Sequence, residues 1–248
     1  MKKPKLSAVV LTHNNEGTIE ETLKSVSFCD EILVVDDHST DTTLTRAKQA
    51  GAAVLTRSLD GDFAAQRNFG LTKASGDWVL FVDSDETVPK ELQREIQEAI
   101  QKIDVNGFYL KRQDMMWGRA LTYGETESVR LLRLARKEKG TWVRPVHEVW
   151  KVTGLVATLS TQLFHTPHPD VAHFLSDINS YSTINAKHLS DTGVRASWWH
   201  IMAYPTAKFF QNYLIRKGFL DGMPGLIVAL MMSFHSFLTR AKLWQLQK

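Results

Sequence analysis

Short apolar runs alternate with amphipathic stretches through the first hundred residues. Residues 6–12, 31–36 and 53–56 are apolar and rich in β-branched side chains, so they read as strands. Residues 78–82, Trp-Val-Leu-Phe-Val, are apolar at every position, the pattern of a strand buried on both faces. Between these runs the period changes to that of a helix. Ile19, Leu23 and Val26 follow the capping-box spacing Thr18-Ile19-Glu20-Glu21. Ser39 or Thr40 can cap a helix that ends near Ala50, with Gly51 as its stop. Residues 63–74 read as a helix ending at Gly76. Pro89 suits a first helical position, after which Leu92, Ile96, Ile100 and Ile103 space one apolar face. Strand–helix alternation predicts an α/β fold, a mostly parallel sheet covered by helices on both faces.

From Asn106 the rhythm differs. Residues 107–112, 129–134 and 152–159 look like strands without intervening helices, predicting an antiparallel or mixed extension of the sheet. Residues 117–127 are polar and contain glycine, which predicts a mobile loop over a site. Asp170 is placed to cap a helix over the following residues, to about Ser190. The chain from Trp198 is aromatic, apolar and basic. Its longest apolar run is 226–232, or 224–238 with Ser233, His235 and Ser236 tolerated, shorter than the ~20 residues of a membrane span. Gly218, Gly222, Pro224 and Gly225 interrupt anything longer. That pattern fits an interfacial helix, and equally a helix packed on the body or on a second subunit. The expected division is an α/β domain over 1–168 and a helical extension over 169–248.

Composition narrows the picture only slightly. The 248 residues are 43% hydrophobic and 23% charged, ordinary for a globular chain. A net charge of +3 is too small to point to nucleic acid. Its distribution says more: residues 201–248 hold six Lys and Arg against Asp221 alone, a net +5, so the rest of the chain carries −2. A basic tail on a slightly acidic body points to an anionic surface. The single Cys29 excludes an internal disulfide and fits a reducing compartment. The basic start, Met1 to Lys5, precedes an apolar run too short for a secretory signal.

Candidate chemistry concentrates in Asp83-Ser84-Asp85-Glu86, directly after the buried run 78–82. Open α/β sheets place ligands at the carboxyl ends of their strands. Asp83 and Asp85 are two apart, so an extended backbone points both to one side, and a bend there can bring them to one hard cation such as Mg²⁺ or Mn²⁺. The same tetrapeptide also fits a polar turn that closes a strand. No Gly-x-Gly-x-x-Gly follows the first strand and no Gly-Lys-Ser/Thr occurs, which disfavours a dinucleotide dehydrogenase and a P-loop enzyme. His165, His168 and His173 lack a nearby Cys and have prolines between them, a poor pattern for structural zinc.

Thr12-His13-Asn14-Asn15-Glu16, Val34-Val35-Asp36-Asp37-His38-Ser39-Thr40-Asp41, Gln66-Arg67-Asn68, Asp83-Ser84-Asp85 and Val146-His147-Glu148 occur in that order. This order resembles the family 2 glycosyltransferases, whose nucleotide-sugar-binding fold is of the GT-A type. The likeness runs over residues 5–100 and on to about 150. Residues 198–244 are similar to the tail of a narrower branch, bacterial enzymes that add glucose to the inner core of lipopolysaccharide. The resemblance implies a nucleotide-sugar donor, UDP-glucose first, a glycolipid acceptor, a divalent Mg²⁺ or Mn²⁺, and work at the cytoplasmic face of a membrane, with a homo-oligomer open. It implies that Thr12, Asn14 and Glu16 line the nucleoside, with Glu16 near the ribose. Asp37 or its neighbour Asp36 accepts from the base, and Gln66 and Arg67 face the donor, Arg67 at the diphosphate. Asp83 sits near ribose and metal, Asp85 binds the metal, and Glu148 is the general base. Many family members carry that base in an acidic pair, whereas here it follows His147, so Asp114, Glu125 and Glu127 are rivals. Two other readings stay open: sugar transfer to a polyprenyl phosphate, and a catalytically silent nucleotide-sugar-binding or scaffold protein.

Overall fold

The computed structural model describes residues 3–126, 129–145 and 148–248. The chain divides into two compact units, Met1–Arg112 with Ser128–His165, and Gln113–Glu127 with Thr166–Lys248.

The first unit begins with β1 (Leu6–Thr12), α1 (Ile19–Ser25), β2 (Glu31–Asp36), α2 (Thr43–Gln49), β3 (Ala53–Thr56), α3 (Phe63–Lys73), β4 (Trp78–Asp83), β5 (Glu86–Thr87) and α4 (Lys90–Ala99). Then β6 (Val105–Met116) leads out to β7 (Arg119–Leu121), and the chain returns as β8 (Arg130–Arg136), β9 (Gly140–Val143), β10 (Val149–Val152) and β11 (Leu155–His165). Among the described residues the sheet order is β3-β2-β1-β4-β8-β6-β11-β5. The first four strands in that order are parallel, while β8 is antiparallel to β4 and β6 antiparallel to β8. The predicted parallel sheet with an antiparallel extension is what forms.

Period-two alternation makes two cores, one on each face of this sheet. Ala8, Val10, Val34, Leu80 and Val82 face one way, against Ile19 and Leu23 of α1 and Leu92 and Ile96 of α4. Val9, Val35, Val79 and Phe81 face the other, against Ala64 and Leu71 of α3 and against Trp142 and Trp150. The two tryptophans come from the antiparallel hairpin β9–β10 and stack at 5.2 Å, each with its ring edge-on to Phe81. Close approach of α3 to the sheet requires Gly70, where a Cβ would fall 2.5 Å from Val9 Cγ1.

Several local expectations change. Thr18 does sit at the start of α1, but its hydroxyl caps nothing and is buried without a partner. The second helix starts at Thr43 rather than at Ser39 or Thr40, because those two residues bond back to Asp36 and Asn14. Strand β5, which the sequence does not announce, pairs antiparallel with β11 through Phe164↔Thr87 and His165↔Glu86.

In the second unit, α5 (Val171–Asp191) is capped by Asp170, whose carboxylate accepts from His173 N at 2.7 Å as predicted. α6 (Trp198–Phe210) contains Pro205 and runs into a wide turn, Gln211–Ile215, before α7 (Gly222–Gln245). Residues 117–126, expected as a mobile loop, hold β7 and a short 3₁₀ turn at Gly124–Thr126. They are tied down by Asp221, which accepts from Thr122 N and Tyr123 N, and by Gly124 N donating to Arg216 O. Of the residues expected to interrupt the tail, Gly222 does so, at φ 69° after a 3₁₀ turn over Gly218–Asp221, whereas Pro224 and Gly225 lie within α7. Pro224 lies in the first turn of α7, where its missing N–H costs nothing, and the 28-residue stretch Gly218–Gln245, whose most apolar 18 residues have mean hydropathy 1.4, is long and apolar enough to cross a membrane.

Candidate active site

The sheet delivers its polar residues to the carboxyl ends of β1, β2 and β4, where the apolar runs stop. Asp83 closes β4. Its Oδ1 accepts from Arg67 Nη2 at 2.9 Å and its Oδ2 from Arg133 Nη2 at 2.7 Å. Arg67, on α3, is almost completely buried and also donates from Nε to Glu148 Oε1 at 2.9 Å. One guanidinium therefore joins two carboxylates that are 65 positions apart in sequence. Both arginines lie on the indole of Trp142, with guanidinium carbons 4.8 Å and 5.8 Å from the ring centroid. Asn68 fixes that indole by exchanging two hydrogen bonds with the Trp142 backbone.

Burial alone would raise the Asp83 carboxyl, but the guanidiniums of Arg133 and Arg67 outweigh it and hold Asp83 well below the usual carboxylate range. Glu86 goes the other way. It is fully buried, and burial followed by the neighbouring Asp83 charge pushes it up to about 7. Its Oε2 accepts from Asp83 N at 2.9 Å, while its Oε1 is buried without a partner. Arg67 Nη1 and Arg133 Nη1 are likewise buried and unpartnered. An orphaned buried polar group costs roughly 1–3 kcal/mol, so two such donors and one such acceptor beside Asp83 mark a place shaped by more than folding.

Asp85 and Asp83 do not share a partner. Asp85 Oδ2 lies 3.3 Å from His165 Nε2 at the end of β11, brought there by the β5–β11 pairing. Its Oδ1 has no protein partner among the described residues. The carboxylate suits Mg²⁺ or Mn²⁺, which keep positions open for phosphate oxygens, and the imidazole nitrogen beside it favours the transition metal of the two, Mn²⁺. Among the described residues no three His, Cys, Asp or Glu gather into a closed cage. Asp83 fits the expected metal role less well than Asp85, because two cations already hold its oxygens.

The first turn is built by Asn15. Its Oδ1 accepts from Thr12 Oγ1, His13 N and Ser84 Oγ, the last at 2.7 Å, which ties the turn after β1 to the turn after β4. Asn14 adopts φ 53° and its Oδ1 accepts from Thr40 N. Glu16, expected at the ribose, accepts from Thr42 N and Thr42 Oγ1 at 3.1 Å and 2.6 Å, and those bonds lower its pKa. It pins the start of α2, where a negative charge is favoured. Asp36 is fully buried and accepts from Ser39 N and Oγ, so it closes its own turn. Asp37 uses Oδ1 for Leu59 N and has no protein partner on Oδ2 among the described residues, which leaves it the one able to accept from a base. Gln66, expected to face the donor, is buried and exchanges two bonds with Arg57.

Among the rivals for the base, Glu125 is engaged by Lys208 Nζ at 2.7 Å and Asn212 Nδ2 at 2.8 Å, and with the buried Asp114 it belongs to the second unit. Glu127, His147 and Val146 lie outside the described residues. Sequence reasoning missed Arg133, Glu86 and His165 as site residues. Arg133 had a signal, a single cation inside the apolar run Leu131-Leu132-Arg133-Leu134. His165 had none, since only strand pairing brings it to Asp85.

A family model, glycosyl transferase family 2, matches residues 7–148, more than half of the chain. An uncharacterised glycosyltransferase of Rickettsia bellii is 27% identical over 98% of this chain and 87% of its own length. A lipopolysaccharide core biosynthesis glycosyltransferase, LpsC of Rhizobium meliloti, is 27% identical over 97% of this chain and 92% of its own. Among solved structures, glucosyl-3-phosphoglycerate synthase from Mycobacterium tuberculosis, in complex with Mn²⁺, UDP and phosphoglyceric acid, superposes with a TM-score of 0.51 at 19% identity, covering 78% of this chain and 80% of that one. The last likeness shows the fold, which is of the GT-A type. Together with the site at the strand ends, the family match leads to one conclusion: this chain belongs to the family 2 glycosyltransferases.

Proposed function

We propose that the chain is an inverting, metal-dependent hexosyltransferase that moves glucose from UDP-glucose to a lipopolysaccharide core or related glycolipid. The observation that carries this reading is the linked set Arg133–Asp83–Arg67–Glu148 beside the Asp85–His165 pair at the end of β4. LpsC, named for lipopolysaccharide core biosynthesis, supports the acceptor class, and the Mn²⁺ and UDP in the synthase structure support the donor and cofactor classes.

On this reading residues 1–168 carry the chemistry and 169–248 form an extension. Asp85 and His165 hold Mg²⁺ or Mn²⁺, which when bound neutralises charge on the departing diphosphate. Arg67 and Arg133 hold Asp83 ionised in one orientation and offer their unpartnered Nη1 groups to diphosphate oxygens. Asp37 accepts from the uracil N–H, and the Thr12–Glu16 turn shapes the nucleoside edge. Glu148, tethered through one oxygen to Arg67, takes the acceptor hydroxyl proton as that oxygen attacks the anomeric carbon from the face opposite the diphosphate. Attack from that face inverts the anomeric configuration. A soluble donor and a lipid-linked acceptor place the reaction in the cytoplasm, at the inner face of the cytoplasmic membrane. A panel of UDP-, GDP- and CMP-linked sugars, with purified protein, Mn²⁺ and a lipopolysaccharide-core acceptor, scored for nucleotide release, tests the reading. Release from UDP-glucose above the other donors is expected, and preference for another sugar nucleotide refutes the donor assignment.

A further inference from the structure

The second unit displays an apolar stripe that its own fold leaves uncovered. On α7, Met223, Leu230, Phe234, Phe237 and Trp244 are exposed, at steps of 7, 4, 3 and 7 that fall on one side of a helix. The opposite side buries Val228, Ala229, Thr239 and Leu243. Helix α6 buries none of its residues and exposes Trp198 and Trp199 at its start. Basic groups edge this surface: Arg195 and Lys217 are exposed, and Lys248 Nζ sits 4.0 Å over the Trp244 ring.

We infer that this stripe inserts into the interfacial layer of an anionic lipid bilayer, with α7 lying along the surface rather than crossing it. Length alone does not decide between the two, since the 24 residues of α7 reach roughly 36 Å at 1.5 Å per residue. The buried side decides. Lys242 Nζ, with three N–H donors, sits within 2.8 Å of four acceptor oxygens, Asn179 O, Asn179 Oδ1, Ser182 Oγ and Thr183 Oγ1, all on α5. A spanning α7 would have to break that lock or carry the polar α5, with Asp177, Lys187 and Asp191, into hydrocarbon. Lying flat keeps α5 in water and buries only the stripe. Charge selects lipid over a second copy of the chain. Asp221, the one acidic side chain in residues 201–248, is buried and bonded to Thr122 N and Tyr123 N, so a self-complementary contact would set basic groups against basic groups. Anionic headgroups match them. The inference rests on this surface alone and is independent of the sugar transferred.

Co-flotation of the full chain with vesicles tests it. With phosphatidylglycerol in phosphatidylcholine the chain floats at low salt, and with phosphatidylcholine alone it floats less. The double variant Phe234→Asp/Phe237→Asp, both sites exposed, loses roughly tenfold or more in partitioning. Lys217→Glu with Arg195→Glu, away from every packed face, weakens floating only with the anionic vesicles, so a folding defect in the first variant does not blunt the test. Alkaline carbonate releases the bound chain. A chain that stays at the bottom, as monomer or dimer, overturns the inference. So do carbonate resistance, or variants that float like the wild type.

Discussion

Glu148 and Asp83 share the Arg67 guanidinium, so a change at any of the three reaches the others. Glu148→Gln keeps the shape and one acceptor oxygen but cannot take a proton. Donor binding should persist while kcat falls by about 10²-fold or more, as read by steady-state nucleotide release. A normal kcat for that variant would remove Glu148 as the base. Arg133→Lys keeps the charge but loses the forked donor at Asp83 Oδ2. Loss of one charge-assisted hydrogen bond corresponds to a ~10–100-fold drop in kcat/KM. Glu86 makes a prediction about pH. Its pKa is raised from 4.5 to about 7 in the folded chain. Between pH ~4.5 and ~7 the folded state therefore retains a proton that the unfolded chain has released, and stability falls as pH rises through that window. Asp83 acts oppositely, its stabilisation lost only as pH falls below the ordinary carboxylate range, so the two effects do not overlap. Urea unfolding from pH 5 to 8 should show Glu86→Gln keeping stability that the wild type loses. Parallel pH profiles for the two proteins would contradict the assignment. The sequence brought Asp83 and Asp85 forward by their spacing, and Asp36 or Asp37 by the family resemblance. It could not tell Asp36 from Asp37, because which carboxylate closes the turn depends on Ser39 and Leu59.

At the scale of elements, hydrophobic period made β1, β2 and β4 readable to the residue or nearly so, because buried parallel strands are uninterrupted apolar runs, and the partly exposed edge strand β3 was readable as a short apolar run. The antiparallel extension was readable as strands but not as an order. Pairing of a two-residue β5 with the end of β11 has no sequence signature, yet it sets His165 beside Asp85. The hairpin β9–β10 contributes Trp142, backed by the stacked Trp150, as the floor under both arginines, which no motif announces. Helix α3 carries Arg67 and must lie close on β1, so Gly70→Ala, with its Cβ 2.5 Å from Val9 Cγ1, should shift the helix. Overpacking of this kind costs about 1–3 kcal/mol, measurable as a lower Tm, and activity should fall with it as Arg67 moves off Asp83. A Tm equal to that of the wild type would mean that α3 has room that this packing denies. Helix α7 runs further than its longest apolar run suggests, because Pro224 and Gly225 fall in its first turn, where neither breaks it.

At the scale of the molecule, a parallel sheet collects the polar ends of its strands into one charge network, and α3, β8 and β11 each add a group from a distant part of the chain. The account stands on the claim that this network transfers a sugar with a divalent metal held by Asp85 and His165. The most direct test compares nucleotide release from UDP-glucose, in the presence of a lipopolysaccharide-core acceptor and Mn²⁺, among wild type, wild type in excess chelator, and Asp85→Ala. Asp85 is partly exposed at a strand end and bears on no packed core, so the variant should fold with an unchanged Tm. The account predicts release by the wild type, none above background in chelator, restoration on adding Mn²⁺ back, and none from Asp85→Ala at any Mn²⁺ concentration. Full release by Asp85→Ala, or by the chelated wild type, would contradict it.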